Sequence, residues 1–189
     1  MLLFIMNTTK SKRRSRTHPR FSKVTESLYL SNKEAAYNRT LLHAHQVTCV
    51  INVSLEGPVG VPPVPEYLHF PLEDAPETPL RDYFATVADK IHEIEANGGC
   101  TLVHCVAGIS RSASLCLAYL MKHRAMTLLE AHTHLKKCRP FIEPNIGFWG
   151  QLIGYEQELY GGNTVHLITS PIGIIPSVSK ERTKNMIPL

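Results

Sequence analysis

The stretch His-Cys-Val-Ala-Gly-Ile-Ser-Arg-Ser, from His104 to Ser112, decides the fold prediction because of the two apolar segments on either side of it. Residues 101–103 form an apolar run of strand length, whereas residues 113–121 are apolar over a length typical of a buried helix. The quoted stretch is therefore predicted to be a loop that leaves a strand and enters the N-terminus of a helix.

The residue types in this loop suit the binding and attack of a phosphate group. A loop at a helix N-terminus directs unpaired N–H groups and the positive end of the helix dipole at one point. Helix N-termini and nearby cations favour the thiolate of a cysteine, so Cys105 is expected to attack as a thiolate. The planar guanidinium of Arg111 matches two phosphate oxygens, and Gly108 allows the backbone to curl. The hydroxyl of Ser112 can donate a hydrogen bond to the sulfur.

Two other interpretations of the His104-Cys105 pair are less specific. Cys105 could be an inert buried cysteine, which is common in a connection between a strand and a helix. The pair could also contribute to a metal site, but no Cys or His pair with the spacing of structural zinc ligands occurs elsewhere. We therefore expect no metal and no cofactor. His104 is expected to orient the loop by a hydrogen bond to the backbone.

The quoted stretch resembles the His-Cys-x5-Arg-Ser signature of the cysteine-dependent protein phosphatases. The surrounding chain, from Phe21 to Tyr160, is similar to the small atypical dual-specificity phosphatases, and the tail from Ser170 to Pro176 resembles one subgroup of them. This resemblance implies hydrolysis of phosphoproteins through a phosphocysteine intermediate. The other matching motifs are Asp74 after Phe70-Pro71-Leu72, the run Ala118-Tyr119-Leu120-Met121-Lys122, Arg139-Pro140, Pro144-Asn145 and Gly147-Phe148-Trp149.

By the resemblance, Asp74 is the general acid that protonates the leaving oxygen and later deprotonates the attacking water. Glu73, Glu77 and Asp82 are competing candidates, although Asp82 falls on the polar side of a predicted helix. Asn145 has two interpretations of equal weight, since it could brace the phosphate loop or cap the helix that follows it.

The resemblance also assigns the substrate-binding positions to Val106, Ala107, Gly108, Ile109, Ser110 and Arg111. The variable positions Val106, Ala107, Ile109 and Ser110 contain no lysine, whereas phosphoinositide phosphatases of this type usually place basic residues there to hold additional phosphates. Phosphotyrosine, phosphoserine and phosphothreonine on proteins are therefore the predicted substrates, with mitogen-activated protein kinases as candidates by resemblance only. The alternatives are a phosphoprotein-binding module with little turnover, and a phosphatase of phosphoinositides or RNA 5′-triphosphates.

Composition limits the partners. Of the 189 residues, twenty are Lys or Arg and sixteen are Asp or Glu, which gives a net charge of +4. Seven of the basic residues lie from Lys10 to Lys23, before the first acid at Glu26, so the remaining chain has thirteen bases against sixteen acids. A nucleic-acid-binding body is not expected from this balance. The cluster from Lys12 to Arg16 could dock in an acidic groove of a kinase.

Five cysteines and no recognisable signal peptide favour a reducing compartment. The cytoplasm, the nucleus or both are the expected locations. A mitochondrial transit peptide is an alternative, because the N-terminus lacks acids and contains Arg and Ser. No window approaches the eighteen or so apolar residues of a membrane span.

The whole pattern predicts an α/β fold in which helices flank a central, mostly parallel sheet, with Asp74 and Cys105 just after strand ends. We expect a basic arm over residues 1–20, the catalytic domain over 21–162 and an extension over 163–189, and the sequence leaves the oligomeric state open. The predicted elements are a hairpin at 21–30, a helix at 32–46, strands at 47–53, 67–70 and 101–103 around a loop at 58–65, a helix capped by Thr78 and ending at Asn97, a helix with the capping box Thr127 and Glu130 up to Cys138, and a helix from Asn145 to Gly161.

Overall fold

The structure is a computed structural model that describes residues 21–57, 60 and 64–180. Within these residues, five strands form a central sheet, and six α-helices and a second, two-stranded sheet complete the fold. The strands of the central sheet are β1 (Phe21–Lys23), β2 (Leu28–Asn32), β3 (Cys49–Asn52), β4 (Glu66–His69) and β5 (Thr101–Cys105). The helices are α1 (Lys33–Ala36), α2 (Arg39–Ala44), α3 (Phe84–Ala96), α4 (Arg111–Arg124), α5 (Leu128–Cys138) and α6 (Ile146–Tyr160).

The central sheet has the order β1-β2-β5-β3-β4 and is parallel except for the β1–β2 hairpin. β5 is the middle strand, and all of its residues are buried, including the polar Thr101 and His104. Because parallel strands end at one edge of a sheet, the residues that follow β3, β4 and β5 meet there. The predicted mostly parallel α/β fold is confirmed, and Cys105 is the last residue of the central strand.

α4 is the core helix. Its residues from Arg111 to Met121 are all buried, and it contacts α3, α5 and α6. The helix therefore has no solvent-exposed face along this length, and the polar residues at its start, Arg111, Ser112 and Ser114, are buried with the apolar ones. Its fixed position behind the central strand fixes the loop that joins the two.

Most of the predicted elements are confirmed, including the hairpin, the α5 capping box and the Asn145 cap of α6. The single helix predicted over 32–46 is instead two short helices. Asn38 adopts an extended conformation and its side chain accepts a hydrogen bond from the Leu41 amide, so it starts a new helix.

The prediction that Thr78 caps the next helix is wrong. Pro79 occupies the cap position without a side-chain bond, and a 3₁₀ turn, Leu80–Tyr83, precedes α3. The amide of Arg81 donates to Oε1 of Gln151, at 2.7 Å, while Nε2 of Gln151 donates to the Thr78 carbonyl at 2.9 Å. The side chain of Gln151 in α6 thus satisfies the backbone amide that a Thr78 cap was expected to satisfy.

The segment after α6 packs against the rest of the chain. Val165 is fully buried in the main core, and buried Glu156 accepts hydrogen bonds from Leu128 and Thr164. It continues as a hairpin of β6 (Leu167–Ser170) and β7 (Gly173–Pro176). The expected arm at 1–20, most of the loop at 58–65 and the last residues, 181–189, lie outside the described residues. No helix among the described residues has the length and apolar character needed to cross a membrane.

Candidate active site

The loop between β5 and α4 has a conformation that depends on Gly108. Its φ is +69°, in the left-handed region that side chains rarely adopt. A Cβ at this position would collide with the carbonyl oxygen of Ser31 and would lie 2.7 Å from Nη2 of Arg139. The glycine predicted from the sequence is therefore required both for the backbone turn and for the close approach of the Ser31 backbone and the Arg139 side chain.

Four successive carbonyls of this loop accept hydrogen bonds from outside the loop. In a trans peptide unit the carbonyl and the following amide point in opposite directions, so the amides of residues 107–110 face the other way, towards the hollow of the loop. This arrangement is an anion-binding cradle made of main chain. The bonds run from the Lys33 amide to Val106 (3.0 Å), from Arg139 to Ala107 (3.1 Å) and Gly108 (2.7 Å), and from the Glu143 amide to Ile109 (2.9 Å).

The sulfur of Cys105 lies at the base of this cradle and is almost completely buried. It accepts hydrogen bonds from the Gly108 amide at 3.3 Å and from the Ser112 hydroxyl at 3.1 Å. The hydrogen bond from Ser112 is the one expected from the sequence. Both donors can stabilise negative charge on sulfur.

Arg111 begins α4 beside the cradle and joins it to the loop that carries Asp74. Its Nη1 donates to the Leu72 carbonyl at 2.8 Å, and its Nε lies 3.6 Å from Oδ2 of Asp74. Arg111 as a residue is 8% exposed. It is therefore held at the rim of the cradle, where a bound phosphate oxygen can reach it.

Asp74 is exposed, and two side chains fix its orientation. Its Oδ1 accepts from the Ser110 hydroxyl at 2.6 Å and from the Asn145 amide nitrogen Nδ2 at 2.9 Å. Asn145 also accepts from the Phe148 amide at 3.0 Å, which caps α6, and its own amide donates to Ser110 Oγ at 3.1 Å. The two alternative interpretations of Asn145 are thus both present in its geometry, together with a contact to Asp74 that the sequence did not predict.

A cleft of about 340 Å³ lies between Asp74 and the cradle. Of the three competing acids, Glu73 lines this cleft, whereas Glu77 and Asp82 do not. The cleft is lined by Leu55, Glu56, Glu73, Asp74, Ala75, Val106 and Arg111, so three acidic residues and one basic residue surround it.

His104 is fully buried, and its Nδ1 donates to the carbonyl of Cys105 at 3.2 Å. Burial lowers the pKa of His104 from 6.5 to about 4, so the imidazole is neutral near pH 7. The ring therefore supports the strand end as a neutral donor. Among the residues described, no group of three or more His, Cys, Asp or Glu side chains is arranged to hold a metal ion.

Arg139 is a site residue to which the sequence analysis assigned no role, although Arg139-Pro140 is among the motifs of the resemblance. Its side chain is completely buried behind the cradle, and burial lowers its pKa to about 10, which still leaves it cationic near pH 7. A local signal was present, because Arg139 lies four residues after Leu135 and eight after Ala131, which are buried residues of α5. This helical spacing places Arg139 on the buried side of the helix end, unlike Lys136 and Lys137 in the last turn.

The comparisons with known proteins agree with this geometry. The profile of the family described as "Dual specificity phosphatase, catalytic domain" matches residues 28–158. This range includes the ends of β4 and β5, the loop with Asp74 and the cradle. The chain belongs to the dual-specificity phosphatase family. It is therefore an enzyme that removes phosphate from tyrosine and from serine or threonine of phosphoproteins.

Two human phosphatases illustrate the similarity in sequence. Human dual specificity protein phosphatase 18 is 52% identical over 168 residues, which cover 89% of each chain. Human dual specificity protein phosphatase 14 is 47% identical over 167 residues, or 88% of this chain and 84% of the relative. The crystal structure of human DUSP28 has a TM-score of 0.71 and 37% identity, and covers 75% of this chain and 95% of that chain. The phosphatase is thus similar to small enzymes of this family over nearly its whole described length.

Proposed function

We propose that Cys105, Arg111 and Asp74 carry out the phosphatase reaction through a phosphocysteine intermediate. The Cys105 thiolate attacks phosphorus while Arg111 and the amides of residues 107–110 bind the non-bridging oxygens. Asp74 gives its proton to the departing oxygen of tyrosine, serine or threonine. The observation that supports these roles best is the sulfur at the base of the cradle with a carboxyl group across the cleft from it.

The second step returns the enzyme to its starting state. Water attacks the phosphorus of phosphocysteine, Asp74 as carboxylate accepts a proton from that water, and the S–P bond breaks. The sulfur leaves as a thiolate that keeps the hydrogen bond from the Ser112 hydroxyl. Inorganic phosphate is released and no oxidant, reductant or cofactor is required.

We assign the transferred proton to Oδ2 of Asp74. Oδ1 already accepts from both Ser110 and Asn145 and is thereby held in place. Oδ2 lies next to Arg111, on the side of the phosphate-binding guanidinium. One oxygen of the carboxyl group therefore anchors it while the other faces the leaving group.

A rapid-quench experiment tests the intermediate directly. The wild-type enzyme and Asp74→Asn are mixed with an aryl phosphate whose phenol leaves without protonation, and the quenched proteins are digested and examined by mass spectrometry. We expect a phosphoryl group on Cys105 that accumulates in Asp74→Asn, because the second step lacks its base. A phosphoryl group on another residue would contradict the assignment of the nucleophile.

Phosphoproteins are favoured over polyphosphorylated ligands by the cleft itself. Its three acidic residues and the uncharged cradle positions Val106, Ala107, Ile109 and Ser110 disfavour additional phosphates. The test is a comparison of kcat/KM for phosphotyrosine, phosphothreonine and phosphoserine peptides with that for a phosphoinositide and an RNA 5′-triphosphate. We expect the peptides to be the better substrates, and a phosphoinositide or RNA that exceeds them would overturn this proposal.

We propose that the chain is divided into a basic arm at residues 1–20, the catalytic domain at 21–162 and an extension at 163–189. The first part of the extension packs on the catalytic domain.

We propose the cytoplasm and the nucleus as locations, with mitochondria as the alternative, and mitogen-activated protein kinases as candidate substrates. No nucleic acid is proposed as a partner. Capture of phosphoproteins from cell extract by Asp74→Ala, with wild type as control, tests the substrates.

A further inference from the structure

The guanidinium of Arg139 contacts two consecutive peptide units of the cradle. Nη2 donates to the carbonyl of Ala107 at 3.1 Å, and Nε donates to the carbonyl of Gly108 at 2.7 Å. Two further contacts support the side chain from other directions. Nη1 donates to the Ser22 hydroxyl at 3.2 Å, and the guanidinium carbon lies 4.3 Å from the centre of the Phe141 ring. Arg139 is thus fixed on one side by β1 and Phe141 and on the other by the cradle.

These bonds determine where the amides on the opposite side of each peptide unit point. The Ala107 carbonyl and the Gly108 amide belong to one planar unit, and that amide donates to the sulfur of Cys105. The Gly108 carbonyl and the Ile109 amide belong to the next unit, so the Ile109 amide faces the hollow of the cradle. Rotation of either unit would turn a carbonyl, with its negative partial charge, towards the sulfur and the bound phosphate.

A guanidinium also improves the donors that it orients. A hydrogen bond to a carbonyl polarises its peptide unit and strengthens the amide on the other side, and a charged donor does so more than a neutral one. Burying a guanidinium carries a large desolvation cost, which an apolar side chain of similar size would avoid. The buried charge of Arg139 lies behind the two central amides of the anion site.

We propose that Arg139 is a positioning residue of the phosphatase reaction, which holds the two central peptide units of the cradle with their amides directed at the transferring phosphoryl group. The inference rests on the proposed role of the cradle and Cys105. Arg139 itself does not touch the substrate. Its effect is greatest in the transition state, where negative charge on the equatorial oxygens is held by these amides and by Arg111.

Three variants test this role. Arg139→Met removes the donors at similar volume, Arg139→Lys keeps the charge but loses the planar fork, and Ser22→Ala removes only the bond on the side away from the cradle. The measurements are kcat and KM for an aryl phosphate, the inhibition constant of vanadate, which binds a thiolate with a geometry like the transition state, and the melting temperature. Activity is expressed per folded molecule.

We expect both Arg139 variants to lower kcat by about 10- to 100-fold, with a smaller change in KM and a parallel loss of vanadate affinity. Ser22→Ala should lower the melting temperature but leave kcat and the vanadate constant near wild type. If Arg139→Met does not fold, Arg139→Lys decides the outcome. An Arg139→Lys enzyme with wild-type kcat and vanadate affinity would overturn the inference. Failure of the underlying mechanism is recognised separately, because Cys105→Ser would then remain active whatever Arg139 does.

Discussion

The two loops that meet at the cleft are built in different ways. In the cradle, the four carbonyls of residues 106–109 are bonded from outside the loop, and the sulfur is buried. The acid loop, residues 71–79, is largely exposed, and its carboxyl group is held by the side chains of Ser110 and Asn145. The anion site is therefore fixed by main chain and a buried cation, whereas the position of the proton donor depends on a few replaceable contacts. Substitutions near the acid loop should affect catalysis without unfolding the protein.

The largest effect is expected at the cradle, from Cys105→Ser. A serine hydroxyl is a far weaker nucleophile than a thiolate, so kcat should fall by at least about 10⁴-fold. Because the amides and Arg111 remain, the variant should still bind phosphopeptide. Steady-state assays and binding by fluorescence anisotropy measure the two properties, and an active serine variant would show that Cys105 is not the nucleophile.

Asp74→Asn should have the next largest effect, a decrease in kcat of about 10²- to 10⁴-fold with phenyl or alkyl phosphates, because it removes the proton donor. Its neighbour Glu73 also lines the cleft and provides the matched control, Glu73→Gln. We expect the control to keep most of its activity. If the two variants exchanged these results, the acid would be Glu73.

Gly147→Ala tests how closely the acid loop depends on α6. A Cβ on Gly147 would collide with the Pro76 backbone, so the loop must shift and carry Asp74 away from the cradle. We expect kcat to fall by about 10- to 100-fold, the cost of misplacing a catalytic group by roughly 1 Å.

The same helix offers a control at Gly150, where an added Cβ meets nothing within 4 Å. Gly150→Ala should raise the free energy of unfolding by about 0.5–1 kcal/mol and leave kcat unchanged, since alanine favours a helix interior more than glycine does. Equal activities for the two alanine variants would mean that the acid loop tolerates the shift.

Asn145→Ser separates the two functions of Asn145. Serine can still cap α6, so stability should change little, but it lacks the amide that donates to Asp74. Loss of a hydrogen bond to a charged group should lower kcat by about tenfold. A variant that loses stability and keeps its kcat would assign Asn145 to the helix cap alone.

The smallest effect concerns stability rather than activity, and it lies on the cradle side. The pKa of buried His104 is lowered from 6.5 to about 4, so between these pH values His104 binds a proton in the unfolded chain but not in the folded protein. The contribution of neutral His104 to the free energy of unfolding is therefore complete above pH 6.5 and is lost as the pH falls towards 4. Between about pH 7.5 and about pH 5 the free energy of unfolding should fall by about 2 kcal/mol more in the wild type than in His104→Asn. Urea unfolding at the two pH values measures this difference, and equal losses would contradict it.

The sequence predicted the cradle well because its determinants are local. The loop between the strand and the helix, the glycine with positive φ and the Ser112 bond to sulfur all lie within the nine residues from His104 to Ser112. The contacts that complete the site join residues far apart in the chain, and no periodicity or spacing records them. Arg139 reaches the cradle from the end of α5, and the amide of Asn145 reaches Asp74.

The fold prediction contains two errors. One arises from a contact between residues far apart in the chain, and the other from an ambiguous local pattern. Gln151 of α6 satisfies the start of the helix that Thr78 was expected to cap, which is a tertiary contact. The break at Asn38 was visible in principle, since Asn is a strong N-cap residue, but the apolar pattern on both sides favoured one continuous helix.

The central claim is that Asp74 of the acid loop protonates the leaving group of a phosphate bound in the cradle. Its most direct test is the dependence of kcat/KM on the leaving group. A series of aryl phosphates whose phenols differ in pKa is assayed with wild type, Asp74→Asn and Glu73→Gln. If Asp74 protonates the leaving oxygen, wild type and Glu73→Gln should depend weakly on the phenol pKa, and Asp74→Asn should depend on it steeply. A weak dependence that persists in Asp74→Asn would contradict the account, because the proton would then come from another group.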